Sequence, residues 1–67
     1  MHIRLNNKTI ELPEEVTSLS DLLKWKDINE NGLAIALNGR LSKRPSWDKT
    51  KLKENDDIVM IEAAFGG

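Results

Sequence analysis

The residues of this chain best suited to chemistry are its last three, Phe65-Gly66-Gly67. A Gly-Gly end is an unbranched acyl group without side chains, slender enough to thread a narrow channel and finish in a carboxylate. Glycine ordinarily serves turns, where it supplies positive φ. A turn needs chain on both sides, however, and Gly67 is read here as the terminus. Fully extended, residues 63–67 would reach roughly 17 Å at ~3.3–3.6 Å each. That distance is enough to carry a carboxylate from a globular body into another protein's active site. A body over residues 1–62 and an extended, flexible tail over 63–67 is the domain organisation this implies. The competing reading is a frayed chain end without a role, and the rest of the chain has to decide between them.

Other reactive groups are scarce. The chain has no cysteine, which excludes a disulfide framework, a thiolate metal site and a thiol nucleophile. Its one histidine, His2, falls in a short alternating segment and has no partner at catalytic spacing. No glycine-rich phosphate loop is present. The expectation is a protein with no catalytic residue and no metal site of its own. Net charge is −1, with Lys, Arg, Asp and Glu together at 31%, so the basic footprint of a nucleic-acid binder is missing. No segment approaches the ~20 apolar residues of a membrane span, and Met1-His2-Ile3-Arg4 does not open a signal peptide, so the cytoplasm is the expected compartment.

Something must hold the tail. Immediately before it runs Ile58-Val59-Met60-Ile61, rich in strand-favouring residues. At the other end of the chain, Ile3 and Leu5 alternate with Arg4, and Ile10 and Leu12 alternate with Glu11. The two segments are joined by Asn6-Asn7-Lys8, which predicts a β-hairpin. Pro13 ends its second strand. Ser18, followed three residues later by Asp21, predicts a helix start, with Asp in place of the usual Glu or Gln. Leu19, Leu22 and Leu23 form one face of a short helix running to Lys26, and Ile28 closes the core beneath its end. Trp25 falls off that stripe. Leu33-Ala34-Ile35-Ala36-Leu37 alternates large and small, Asn38-Gly39 predicts a type I′ turn, and Arg40-Leu41-Ser42 is a short return strand. Lys43-Arg44-Pro45-Ser46-Trp47 is basic and then aromatic. Too few bases and one ring speak against a stacking site for single-stranded nucleic acid and for a crossover loop with Trp47 folded onto the core.

One helix covers one face of a sheet. Strand, strand, helix, strand, short strand, strand is therefore expected to be an α+β fold of the β-grasp type, a mixed sheet of four to five strands packed on one helix. The inward set would be Ile3, Leu5, Ile10, Leu12, Leu19, Leu22, Leu23, Ile28, Leu33, Ile35, Leu37, Leu52, Ile58 and Met60. Strand parity then turns Val59 and Ile61 outward, beside Ala34 and Ala36. Exposed branched aliphatics among small residues make an apolar patch at the root of the tail, and such patches usually mark a partner surface.

Several of these segments, in their order and spacing, resemble the ThiS family of sulfur carriers. They are Ile35-Ala36-Leu37-Asn38-Gly39, Arg44 and Trp47, Leu52, Asp56-Asp57-Ile58 and Gly66-Gly67. The likeness extends to Ser18-Leu19-Ser20-Asp21-Leu22-Leu23 and so spans nearly the whole chain. Relatives of that fold include ubiquitin and the small subunit of molybdopterin synthase, MoaD, but chains of the MoaD type lack the Asn-Gly then Arg and Trp pattern at these spacings. The resemblance implies a carrier for thiazole synthesis in thiamine production. It implies that the Gly67 carboxylate is adenylated by a ThiF-type enzyme, which uses ATP and Mg²⁺, and converted to a thiocarboxylate with sulfur from a donor protein. Thiazole synthase, ThiG, would then take the sulfur. No cofactor would be bound by the carrier. Phe65, Gly66 and Gly67 would thread the partners' active sites, with Phe65 in an apolar pocket. The sequence departs from the family pattern at Asn55, where glycine is common, at Phe65, which is bulkier than usual, and in the order of Lys43-Arg44-Pro45-Ser46. A MoaD-like carrier, a ubiquitin-like protein modifier and a non-catalytic ubiquitin-like interaction module are the alternatives.

Overall fold

In the computed structural model, which describes residues 1–62, the elements follow the order that the patterning predicts. Strands β1 (His2–Leu5) and β2 (Lys8–Glu11) form the first hairpin. Its turn places Asn6 at φ 50° and Asn7 at φ 70°, a left-handed pair that asparagine tolerates better than other side-chain-bearing residues. Lys8 thus belongs to the second strand rather than to the turn.

Helix α1 spans Leu19–Trp25 and owes its start to a dense set of side-chain bonds. Ser18 Oγ accepts from the Asp21 N–H at 3.1 Å. The Asp21 carboxylate reaches back past Ser18 and accepts from Thr17 N–H at 3.1 Å and Thr17 Oγ1 at 3.0 Å. The Thr17 backbone N–H, followed by its hydroxyl, holds the Asp21 carboxyl below the usual aspartate range. The helix ends one residue short of Lys26. The Lys26 N–H bonds back to Leu22 O at 2.9 Å, and Asp27 at φ 56° breaks the helical path. Trp25 faces solvent, with the Lys26 ammonium 5.8 Å from its ring centroid.

Strands β3 (Leu33–Leu37) and β4 (Arg40–Ser42) close over Asn38 at φ 52° and Gly39 at φ 82°, the type I′ geometry predicted. Strand β5 (Asp57–Glu62) is the last. The sheet order is β2-β1-β5-β3-β4, with β1 and β5 parallel and the other neighbours antiparallel. This is the β-grasp fold, with five strands against one helix.

The core lies between the sheet and α1. Ile3, Leu19, Leu22, Ile35 and Ile58 are fully buried, and each such side chain contributes about 1.5–3 kcal/mol of apolar transfer. Leu5, Ile10, Ile28, Leu33 and Leu37 are half-buried around them. Two buried apolar residues stand outside the predicted inward set, Val16 and Trp47. Trp47 was expected on the core from its place in the crossover. Val16 follows Pro13 in a stretch without periodicity, so nothing in its neighbourhood marks it. The crossover is stitched to the start of the helix: Leu19 N–H donates to Thr50 O at 3.1 Å, Ser20 N–H to Trp47 O at 3.2 Å, and Leu52 N–H to Thr17 O at 2.9 Å. Asn55 takes φ 68°, so it does the work of the glycine common at that point.

Candidate functional site

Strand β5 is the central strand of the sheet, and it leads directly to residue 63. Its register on β3 sets Val59 opposite Ala36 and Ile61 opposite Ala34. Ile35 and Met60, which are buried toward α1, form the intervening pair. Alternation therefore puts Val59 and Ile61 on the face that the helix leaves bare, where they are 37% and 63% exposed. Ala34 is exposed beside Ile61 and Ala36 is half-buried beside Val59, as parity requires.

The structure adds a residue to this face. Leu41 of β4 lies opposite Ala36 and is 70% exposed, the most exposed large apolar side chain among the described residues. The signal was present in the sequence, since the Asn38-Gly39 turn fixes the register of the return strand and so the parity of Leu41. The same face turns polar on its other half, where Arg4 lies opposite Thr9 and His2 opposite Glu11. The His2 ring stands 3.8 Å from the Glu11 carboxylate and 3.5 Å from that of Glu54. Among the described residues, no three His, Asp or Glu side chains come together as a metal site.

Two asparagines hold the strand that carries the face. Strand β1 stops at Leu5, short of the end of β5, and Asn6 extends it with its side chain. Asn6 Oδ1 accepts from Met60 N–H at 2.8 Å, and Asn6 Nδ2 donates to Met60 O at 3.3 Å. The backbone N–H of Asn6 donates to Ile58 O at 2.9 Å, so one residue bonds two successive steps of β5. The left-handed φ of Asn6 is what swings its amide alongside the strand. At the start of β5, Asn38 Oδ1 accepts from Asp57 N–H at 2.9 Å and Asn38 N–H donates to Asp57 O at 2.7 Å. Its Nδ2 donates to the buried Asp56 carboxylate at 3.0 Å, and Lys53 N–H also donates to that carboxylate at 2.8 Å. The start of β5 at Asp57 and its middle at Met60 are thus fixed by polar contacts to the two Asn-containing turns.

The tail residues singled out by sequence, Phe65, Gly66 and Gly67 with Ala63 and Ala64 before them, lie outside the described residues.

Fold and site together define a ubiquitin-like β-grasp protein whose central strand runs past an uncovered apolar face. Within that class the chain belongs to the ThiS family, whose model matches residues 3–67. Its structure is similar to the crystal structure of the thiamine biosynthesis protein ThiS of Geobacter metallireducens, with a TM-score of 0.84 over all of both chains. It is also similar to an NMR solution structure of a thiamine biosynthesis protein from that organism, at a TM-score of 0.79 over all of this chain and 88% of that one. Sequence identity is 22% in both cases, so these are likenesses of fold. An uncharacterized protein, ycf40 of Trieres chinensis, is 30% identical over 50 residues, which is 75% of this chain and 68% of that protein. No helix among the described residues is long and apolar enough to cross a membrane.

Proposed function

We propose that this protein is a sulfur carrier for the thiazole step of thiamine synthesis and that Gly67 is the residue that carries the sulfur. The observation that carries the reading is the match of the ThiS family model through residue 67, diglycine included. A carboxylate is a poor acyl electrophile. In the proposed cycle a Gly67 carboxylate oxygen attacks the α-phosphorus of ATP in a ThiF-type adenylyltransferase, and pyrophosphate leaves. A persulfide sulfur of a donor protein then attacks the acyl carbon of the mixed anhydride and AMP leaves. A thiol attacks the donor-side sulfur of the resulting acyl disulfide, forming a disulfide with the donor, and the thiocarboxylate is released for a thiazole synthase of the ThiG type. ATP and Mg²⁺ belong to the partner. This chain contributes a reactive terminus and a surface to hold it in place, so it is a substrate of its partners rather than an enzyme.

In this reading Phe65, Gly66 and Gly67 enter the partner's active site while Ala34, Ala36, Val59 and Ile61, joined by Leu41, dock its body. The exposure of Leu41 and Ile61 supports the docking role, because large aliphatics gathered on the bare half of a sheet gain by being covered. The test is intact mass after incubation with ATP, a ThiF-type adenylyltransferase and a sulfur donor. The expected gain is that of one sulfur for one oxygen, lost when Gly67 is deleted. No gain under conditions that convert an established carrier would refute the proposal. A carrier for molybdopterin synthesis would gain the same mass, and delivery of the sulfur to a thiazole synthase separates the two.

A further inference from the structure

The chain's charge is unevenly placed. Residues 40–53 hold six Lys and Arg against the single Asp48, while the rest of the chain holds four against ten Asp and Glu. The structure gathers part of this cationic segment around a groove of about 600 Å³ on the outer edge of the sheet. Leu37, Leu41 and Pro45 give it an apolar lining, and Arg40, Lys43 and Lys49 give it positive charge. Among the described residues, no carboxylate lines it and none of those three cations makes an ion pair. Arg44, the neighbouring cation, is already paired to Glu30 at 3.2 Å.

The groove runs along β4, the edge strand of the sheet. Leu37 and Arg40 flank a two-residue turn and so form a hydrogen-bonded pair. The next pair, Ala36 with Leu41, is then a non-bonded one, and the N–H and C=O of Leu41 point to the open edge. A free backbone donor and acceptor, an apolar lining and three unpaired cations meet at one place. Trp47 does not join them as a stacking platform, because it is 2% exposed and its Nε1–H is spent on Ser42 O at 2.9 Å. A nucleic acid strand therefore finds charge here but no ring to stack on.

We infer that the β4 edge is a docking site for an extended acidic segment of a partner protein, which adds to the sheet at Leu41 and sets its carboxylates against Arg40, Lys43 and Lys49. Strand addition takes affinity from the main chain and specificity from flanking charge. The site is distinct from the carrier terminus, and it stands or falls independently of sulfur chemistry.

The experiment titrates the isotope-labelled full chain with a capped six-residue peptide of alternating Glu and Leu, followed by amide NMR. The expected result is a saturable set of shifts confined to the 37–49 region, with the Leu41 amide moving as a new hydrogen-bond donor. Replacing every Glu of the peptide by Gln should weaken binding about tenfold, and so should the double variant Lys43→Glu/Lys49→Glu, since two exposed ion pairs each contribute a factor of a few. That variant must keep the dispersed spectrum of the folded chain. If it does not, Lys43→Gln/Lys49→Gln replaces it with the same expectation. N-methylation of the peptide nitrogen facing Leu41 should abolish binding. Equal binding by the Gln peptide, tolerance of the N-methyl group, or shifts away from β4 would each overturn the proposal. Tighter binding of this groove to a single-stranded oligonucleotide or to anionic vesicles than to the peptide would also overturn it. So would occupation of the groove by a second copy of the chain.

Discussion

Asn6 offers a quantitative test of how the tail's root is held. Its side chain makes two bonds to the backbone of Met60, at 2.8 and 3.3 Å, in place of a strand that has already turned away. Each such bond is worth about 0.5–1.5 kcal/mol net, so the pair contributes about 2 kcal/mol. Glycine accepts the φ of 50° without strain, so Asn6→Gly removes the bonds and leaves the turn. Asn6→Ala adds the left-handed penalty of about 1 kcal/mol, for a total of about 3 kcal/mol. At roughly 4–8 °C per kcal/mol for a domain of this size, Asn6→Gly should lower Tm by about 8–16 °C. Urea unfolding followed by the fluorescence of buried Trp47, in a Trp25→Phe background, gives the free energies. Hydrogen exchange at the Met60 amide gives the location, since that proton should exchange faster in Asn6→Gly by more than the global loss accounts for. A loss below about 0.5 kcal/mol, half of one net hydrogen bond, would refute the account, and so would an unchanged Met60 amide.

Four further outcomes follow from the packing, the bare face and the caps. Trp47→Phe removes the bond to Ser42 O and opens a void, which should cost about 2 kcal/mol; Trp47→Ala, at about 3–5 kcal/mol, should consume most of the stability of so small a domain, and both are read by urea titration with circular dichroism. Ile61→Asp changes an exposed side chain, so Tm should barely move while affinity for a ThiF-type adenylyltransferase, measured by calorimetry, falls tenfold or more at a buried interface; a proportionate loss of stability would show that the residue is structural. Ser18→Ala should cost about 1 kcal/mol through the lost cap. Asp21 has its folded pKa below the unfolded one, so its contribution is fully present above the ordinary aspartate pKa and is lost as pH falls through the folded value. Asp21→Asn should therefore be destabilised at neutral pH, with the gap to the wild type closing in acid, as thermal melts across that range will register.

Much of this was written in the local pattern. The two Asn turns, the Ser18 and Asp21 start, and the parity of Ile58 through Ile61 each depend on neighbours within a few residues, and each appears in the structure as the residue types require. The misses have a common cause. Each escapes the periodic pattern: Val16 lies in a stretch without periodicity, the edge groove at β4 needs the three-dimensional path of residues 37–49, and Asn6 as a substitute for a strand depends on what lies across the sheet, far away in sequence. Asn6 illustrates the point: its type announces a turn, yet its amide binds a residue 54 positions on. Leu41 is intermediate, because its parity could be counted from the turn once β4 was assigned.

The position of β5 has a mechanical consequence. The strand is flanked on both sides, parallel to β1 and antiparallel to β3, with Asn38 fastening its start and Asn6 its middle at Met60. A tug applied beyond Glu62 along the strand is borne in shear by two ladders at once, so the bonds share the load instead of peeling off one by one. In the proposed cycle the residues beyond Glu62 are gripped and released by successive partners, and the body can in this way be pulled on without being unravelled.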